Sequence, residues 1–165
     1  MIKFFSNLID RQKVKHALKG LEERMQKDGL VLVGVPKGAG AYEHGLTIAT
    51  VAAVNNFGSA DGRIPARPFL APAVENGAPE YRRLVEVMLP KVMSGEMEMQ
   101  TLLAQMGQLA EGHVKQQITD LRTPPNAQST IDKKGSDNPL IDTGALRQSI
   151  RYVIDDGTDP VEEGI

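Results

Sequence analysis

Between Ile64 and Ala73 the chain reads Ile-Pro-Ala-Arg-Pro-Phe-Leu-Ala-Pro-Ala, with three prolines inside eight residues. Each proline fixes its own φ at about −65° and drives the preceding residue out of the helical region. The backbone path here is therefore set before any tertiary contact forms. Phe69 and Leu70 are its expected core anchors. Arg67 sits between Ala66 and Pro68, where its stem can pack and its guanidinium can reach carboxylates or carbonyls in a fixed direction. Arg63 and Arg67 admit two readings: surface salt bridges worth about 0 to 1 kcal/mol, or docking of a neighbouring subunit.

Around this segment the pattern predicts a mixture of helices and strands. Val14, Leu18, Leu21 and Met25 recur at helical spacing between residues 10 and 28, with Asp10 or Ser6 as cap and Gly29 as a left-handed terminator. Leu30 to Val35 reads as a buried strand stopped by Pro36. Residues 46–54 fit either a strand or a short helix. Pro79 suits the first turn of a helix carrying Tyr81, Leu84, Val85, Met88 and Val92, with Pro90 kinking or ending it. A longer amphipathic helix follows, with Met99, Leu102, Leu103, Met106, Ala110, Val114 and Gln117 on one face. Gly107 and Gly112 each cost it about 1 kcal/mol relative to Ala, so close approach of another backbone is expected there.

Residues 123–138 turn polar around Pro124, Pro125, Lys133 and Lys134, and read as a mobile arm that orders on assembly. The chain then re-enters the core through Leu140 and Leu146, with Thr143 or Asp142 capping a short helix, and Ile150, Tyr152 and Ile154 alternate as a half-buried strand. The expected fold class is α+β: a small mixed or antiparallel sheet from residues 30–54 and 148–155, packed by an N-terminal amphipathic helix (10–28) and a long central helix (97–120). With 165 residues, 41% apolar and 24% charged, one domain over residues 1–155 is expected, followed by a loose acidic tail at 156–165.

The same composition narrows the chemistry. Cys is absent, which removes disulfides, Cys-ligated metals and thiol nucleophiles. The net charge of −2 gives no electrostatic drive toward nucleic acid or anionic membrane. Breaks at Ser6, Asn7 and Asp10 argue against a signal peptide, and no apolar run reaches the roughly 18 residues of a bilayer span.

His16, His44 and His113 are scattered and none has a second His at ligand spacing. His113 reads as a satisfied core residue or an interhelical polar contact rather than a metal ligand. Glu96 and Glu98 lack a pocket that would separate their pKa values, and Ser149 lacks the nucleophile-elbow pattern. The glycine-rich loop from Gly34 to Gly45 invites a nucleotide reading, but Lys37 precedes the glycines and no hydroxyl follows in the phosphate-loop order. A hairpin-like connection fits better. No enzymatic activity, cofactor or metal is expected.

Three blocks carry a resemblance: Gly34-Val35-Pro36 with the loop that follows; Asn55-Asn56-Phe57-Gly58 with Ile64 to Leu70; and Pro139 to Ile150. In order and spacing they resemble the tail-completion or head-to-tail joining proteins in the neck of long-tailed bacteriophages. Members of that family often carry an acidic residue where this chain has Asn56 and a basic one where it has Ala71. The resemblance implies a non-enzymatic virion component, made in host cytoplasm. It implies a homo-oligomeric ring, a hexamer by tail symmetry, between the capsid connector or adaptor and the tail terminator or tail tube. Genome DNA would pass through its lumen without sequence-specific binding, and no membrane is involved. The expected subunit contacts are Arg63, Pro65, Arg67, Pro68, Pro124, Pro125, Lys133 and Lys134. A related virion morphogenesis protein, and more distantly a nucleotide-binding enzyme using the 34–45 loop, are the alternatives.

Overall fold

The computed structural model describes residues 11–25, 29–43, 45–155 and 165. The elements run α1 (Arg11–Met25), β1 (Leu30–Gly34), α2 (Ile48–Phe57), α3 (Leu70–Ser94), α4 (Met99–Asp120), α5 (Gln128–Lys134), α6 (Ala145–Ser149) and β2 (Arg151–Asp155). The fold is α+β and dominated by helices. Its sheet is antiparallel and two-stranded, pairing Leu30 with Asp155, Leu32 with Val153 and Gly34 with Arg151. Because side chains alternate across a strand, Val31, Val33, Tyr152 and Ile154 turn inward against α4, and Leu30, Leu32 and Val153 turn outward.

Residues 46–54 therefore add no strand, and the sheet is smaller than expected. Thr47 accepts the Thr50 N–H at its Oγ1 at 3.1 Å and starts α2, in which Ile48, Ala52 and Asn56 fall four apart on the buried face. Alanines at 49, 52 and 53, the best helix formers, decide what hydrophobicity leaves open.

A second departure is α3. It begins at Leu70 and runs through Pro79 and Pro90 as one helix of 25 residues. Both prolines are exposed, so the carbonyls of Glu75 and Glu86, which lose their usual N–H donors, face the solvent side. The α3 start lies outside the reach of local capping, since Phe69 offers no side-chain cap. Asn56 supplies it from α2: its Oδ1 accepts the N–H of Phe69 at 3.0 Å and of Leu70 at 3.3 Å.

α3 and α4 form an antiparallel hairpin closed by Gly95, whose φ of 81° is the left-handed value a C-terminal glycine provides. At the hairpin tip Met88, Val92 and Leu102 make a small core of their own, with Leu84, Met97 and Met99 packed around it. The main core joins Val35, Ile48, Ala52, Phe69, Ala73, Val114, Ile118, Leu121, Leu140, Leu146 and Ile150. Phe69, Leu140 and Leu146 are thus buried as core anchors, and Leu70 is half-buried against them. Burying each such side chain contributes about 1.5 to 3 kcal/mol.

Two glycines act by vacancy. Gly107 on α4 lies under the Tyr152 ring, where a Cβ would stand 2.1 Å from Cδ2. Gly29 is not left-handed as expected of a terminator; it makes room for Leu103, 2.6 Å from where its Cβ would be. Gly112, expected to meet another backbone, faces open space. The expectation that α1 packs on the sheet is also revised: α4 covers the sheet, and α1 lies against α3. The caps expected at Ser6 and Asp10, and the acidic run 156–164, lie outside the described residues.

Candidate functional site

The three sequence blocks, far apart along the chain, meet around one groove of about 660 Å³. The glycine loop contributes Tyr42 and Leu46, α2 contributes Val51 and Asn55, and the proline segment contributes Arg63, Ile64, Pro65 and Arg67. The 123–138 segment supplies Pro125, Ala127, Thr130 and Lys134, and the last block closes the wall with Leu140, Asp142 and Leu146. Five of the expected contact residues, Arg63, Pro65, Arg67, Pro125 and Lys134, line this groove. Pro68 and Lys133 are exposed outside it, and Pro124 touches it through Arg67.

Arg67 is the groove's organising residue. It is only 5% exposed. Pro68 and Pro65 hold its backbone extended, its own N–H donates to the Asn55 carbonyl at 2.7 Å, and its Nε and Nη2 donate to the carbonyls of Pro124 and Pro125 at 2.8 and 2.9 Å. Of the two uses foreseen for this guanidinium, it takes the carbonyls, and from within its own chain. Burial pulls it below its ordinary pKa, yet a guanidinium stays charged. Arg63, by contrast, is exposed at the groove's lip with Nε 3.2 Å from Asp61, a solvent-screened surface pair.

The segment at 123–138 is built rather than bare. It carries α5, and Lys134 at its end donates to the Asn138 carbonyl at 2.9 Å. Buried Asn138 fixes both directions of chain: its Nδ2 donates to the Thr119 carbonyl at the end of α4, and its Oδ1 accepts the N–H groups of Leu140 and Ile141. Thr143 accepts the Ala145 N–H at 3.3 Å, just ahead of α6.

Groove electrostatics centre on Asp142. Burial lowers the Lys134 pKa, the nearby Arg67 charge adds to that, and Asp142 opposes it. Burial raises the Tyr42 phenol, with Asp142 adding to the shift and the Leu146 backbone opposing it. The groove is thus an apolar channel with Arg63, Arg67 and Lys134 on its walls and Asp142 as the single carboxylate among its lining residues.

Elsewhere the polar groups have structural partners. His113 shares a hydrogen bond of 2.9 Å between Nδ1 and the Tyr81 hydroxyl, and its Nε2 lies 3.2 Å from Glu80, which ties α4 to α3. A Cβ on Gly77 would stand 2.3 Å from that Nδ1. His16 is exposed on α1, His44 lies outside the described residues, and Ser149 donates to the Leu146 carbonyl. Glu96 accepts from Ser94 in the hairpin turn. Among the described residues no three His, Asp or Glu side chains group to hold a metal ion, and no helix is long and apolar enough to cross a membrane.

In the 34–45 loop, the N–H groups of Ala39 and Gly45 donate to carbonyls of the same loop, Tyr42 donates to Leu46 just beyond it, and Ile48 donates to Gly40. Ala41 bridges Thr47. A phosphate cradle needs such donors pointed outward; here they close a hairpin.

No protein-family model, curated protein or solved structure matches this chain.

Proposed function

We propose that this protein is a structural component of a phage neck, a tail-completion or head-to-tail joining subunit that forms a ring between capsid connector and tail. The observation that supports this reading is the convergence of the three resemblance blocks on one groove, organised by Arg67. A ring subunit must offer one surface to its neighbour and a different one to receive it, because the contact is heterologous. The groove, which takes its walls from all three blocks, is one such surface. That the N–H groups of Ala39, Tyr42 and Gly45 are taken up by chain carbonyls weighs against a phosphate cradle there. A net charge of −2 suits a lumen through which DNA must slide without being gripped.

Native mass measurement over a concentration series, with a nucleotide titration alongside, tests this. The expected outcome is a closed oligomer of one stoichiometry, with hexamer the first expectation, and no nucleotide binding. A chain that stays monomeric throughout, or binds nucleotide tightly, overturns the reading.

A further inference from the structure

Resting on the reading of the groove as an assembly contact, we propose what it receives: a segment of a partner polypeptide with one acidic side chain between apolar ones, its carboxylate seated against Arg67 and Lys134. Arg67 is a buried charge without a counterion. It is 5% exposed, and among the described residues no carboxylate lies within ion-pair distance of it. A guanidinium offers five N–H groups. The bonds to Pro124 and Pro125 use one on Nε and one on Nη2, so Nη1 makes no hydrogen bond within the chain. Neutral carbonyls leave the charge itself uncompensated, and a buried charge is stable when an opposite one accompanies it.

Lys134 repeats the pattern beside it. Half-buried, it donates to the Asn138 carbonyl and also meets no carboxylate at ion-pair distance. Burial depresses its pKa most; Asp142 opposes that, and Arg67 adds to it, so the two cations lie within each other's field. One carboxylate between them compensates both. Asp142, the single acid among the lining residues, is exposed and reaches neither closely enough to do so. Arg63 is already paired with Asp61 at the surface, and its charge steers an approaching acid more than it holds one.

The remaining wall decides what accompanies the carboxylate. The groove, of about 660 Å³, is lined by Leu46, Val51, Ile64, Pro65, Leu140 and Leu146. Leu46 is 57% and Ile64 40% exposed. A small anion leaves that surface in water, whereas apolar side chains flanking the acid cover it. Pro65, Pro125 and Pro139 carry no N–H, and the carbonyls of Pro124 and Pro125 are taken by Arg67. Little backbone is left for an incoming strand to pair with, so side chains carry the recognition: charge at the centre, apolar groups to either side.

The full-length chain is titrated with acetyl-Gly-Leu-Glu-Leu-Gly-amide, whose only charge is the glutamate, and with its glutamine counterpart, followed by calorimetry and amide NMR shifts. The glutamate peptide should bind at least about tenfold tighter, as hydrogen bonds between a carboxylate and buried cations imply. It should move the amides of Leu46, Thr130 and Ala145, which lie on different walls of the groove. Two exposed positions adjust the field without entering the core. Asp142→Asn should tighten binding and Arg63→Glu should weaken it, each by about two- to fivefold, with circular dichroism confirming the fold. Equal affinity for the two peptides, indifference to both substitutions, or acetate or inorganic phosphate binding as tightly as the glutamate peptide would overturn the assignment. Native mass on the same samples separates the two readings. Rings whose subunits ignore the peptide remove this occupant and keep the ring; a monomer that binds it removes the ring and keeps the occupant; a monomer that binds neither peptide removes both.

Discussion

Arg67 donates from Nη2 to the carbonyl oxygen of Pro125 at 2.9 Å, a bond that spans 58 residues of sequence. With the companion bond from Nε to Pro124, one planar fork holds the start of the 123–138 segment to the proline-rich stretch. Lysine has a single donor head and cannot reproduce the fork. Arg67→Lys should therefore lose about 2 kcal/mol of unfolding free energy, read from urea titration.

Asn56 carries the start of α3 from a neighbouring helix. Asn56→Ala leaves the buried N–H of Phe69 and the half-buried N–H of Leu70 without their acceptor, and should cost about 2 kcal/mol. Asn56→Asp keeps an acceptor and adds negative charge at a helix N-terminus, where it is favoured. It should retain most of the stability at neutral pH and lose it on acidification. Thermal unfolding of the two variants at two pH values separates them.

Two glycines on one helix should respond with opposite sign. Gly107→Ala drives a methyl into the Tyr152 ring and should destabilise by about 2 kcal/mol. Gly112→Ala meets open space and should stabilise by about 1 kcal/mol through helix propensity alone. Equal effects of the two changes in denaturant titrations would contradict the packing of β2 on α4.

The same contrast shows what pattern alone can and cannot deliver. α1, α4 and β2 are legible because their apolar residues repeat at the spacing of the element, β1 because a short run of branched residues is stopped by Pro36, and Phe69, Leu140 and Leu146 are legible as anchors because each sits among turn-forming neighbours. α2 is ambiguous because apolar residues fill every position from Ile48 to Val54 except Thr50, so periodicity vanishes. α3 is shortened in a sequence reading because proline is scored for the N–H it lacks; exposure of Pro79 and Pro90, which makes that lack tolerable, is a tertiary property. Asn56, Asn138 and Arg67 act on backbone that is distant or around a corner. No local spacing announces such partners, so the groove's makers were visible as residues and its architecture was not.

Alkaline pH gives a further check. Burial first, and the Glu80 charge second, raise the Tyr81 phenol above its ordinary value of about 10. Above that pH the native chain holds the Tyr81 proton when the unfolded chain has released it, so Tyr81's contribution falls as pH rises. Tyr81→Phe also loses the bond to His113, about 1 kcal/mol, and that offset should be constant below about pH 10. The wild-type advantage should then shrink above it. Chemical denaturation at stepped alkaline pH measures the difference, which removes the contributions of Tyr42 and Lys134 common to both chains.

Trypsin should read assembly at α5. Lys133 is exposed, whereas Lys134 is half-buried and holds the Asn138 carbonyl. Free subunits should be cut after Lys133 and assembled rings should resist, as timed digests resolved by mass will show. Equal rates in both states would place the 123–138 segment away from any contact.

The groove's walls come from stretches running from Tyr42 to Leu146, and Arg67 joins two of them only after α4 has brought the chain back. A nascent, truncated or nicked polypeptide has no such channel to offer. The channel is thus a property of the completed chain, absent until Leu140 and Leu146 join Tyr42 and Arg67 around it.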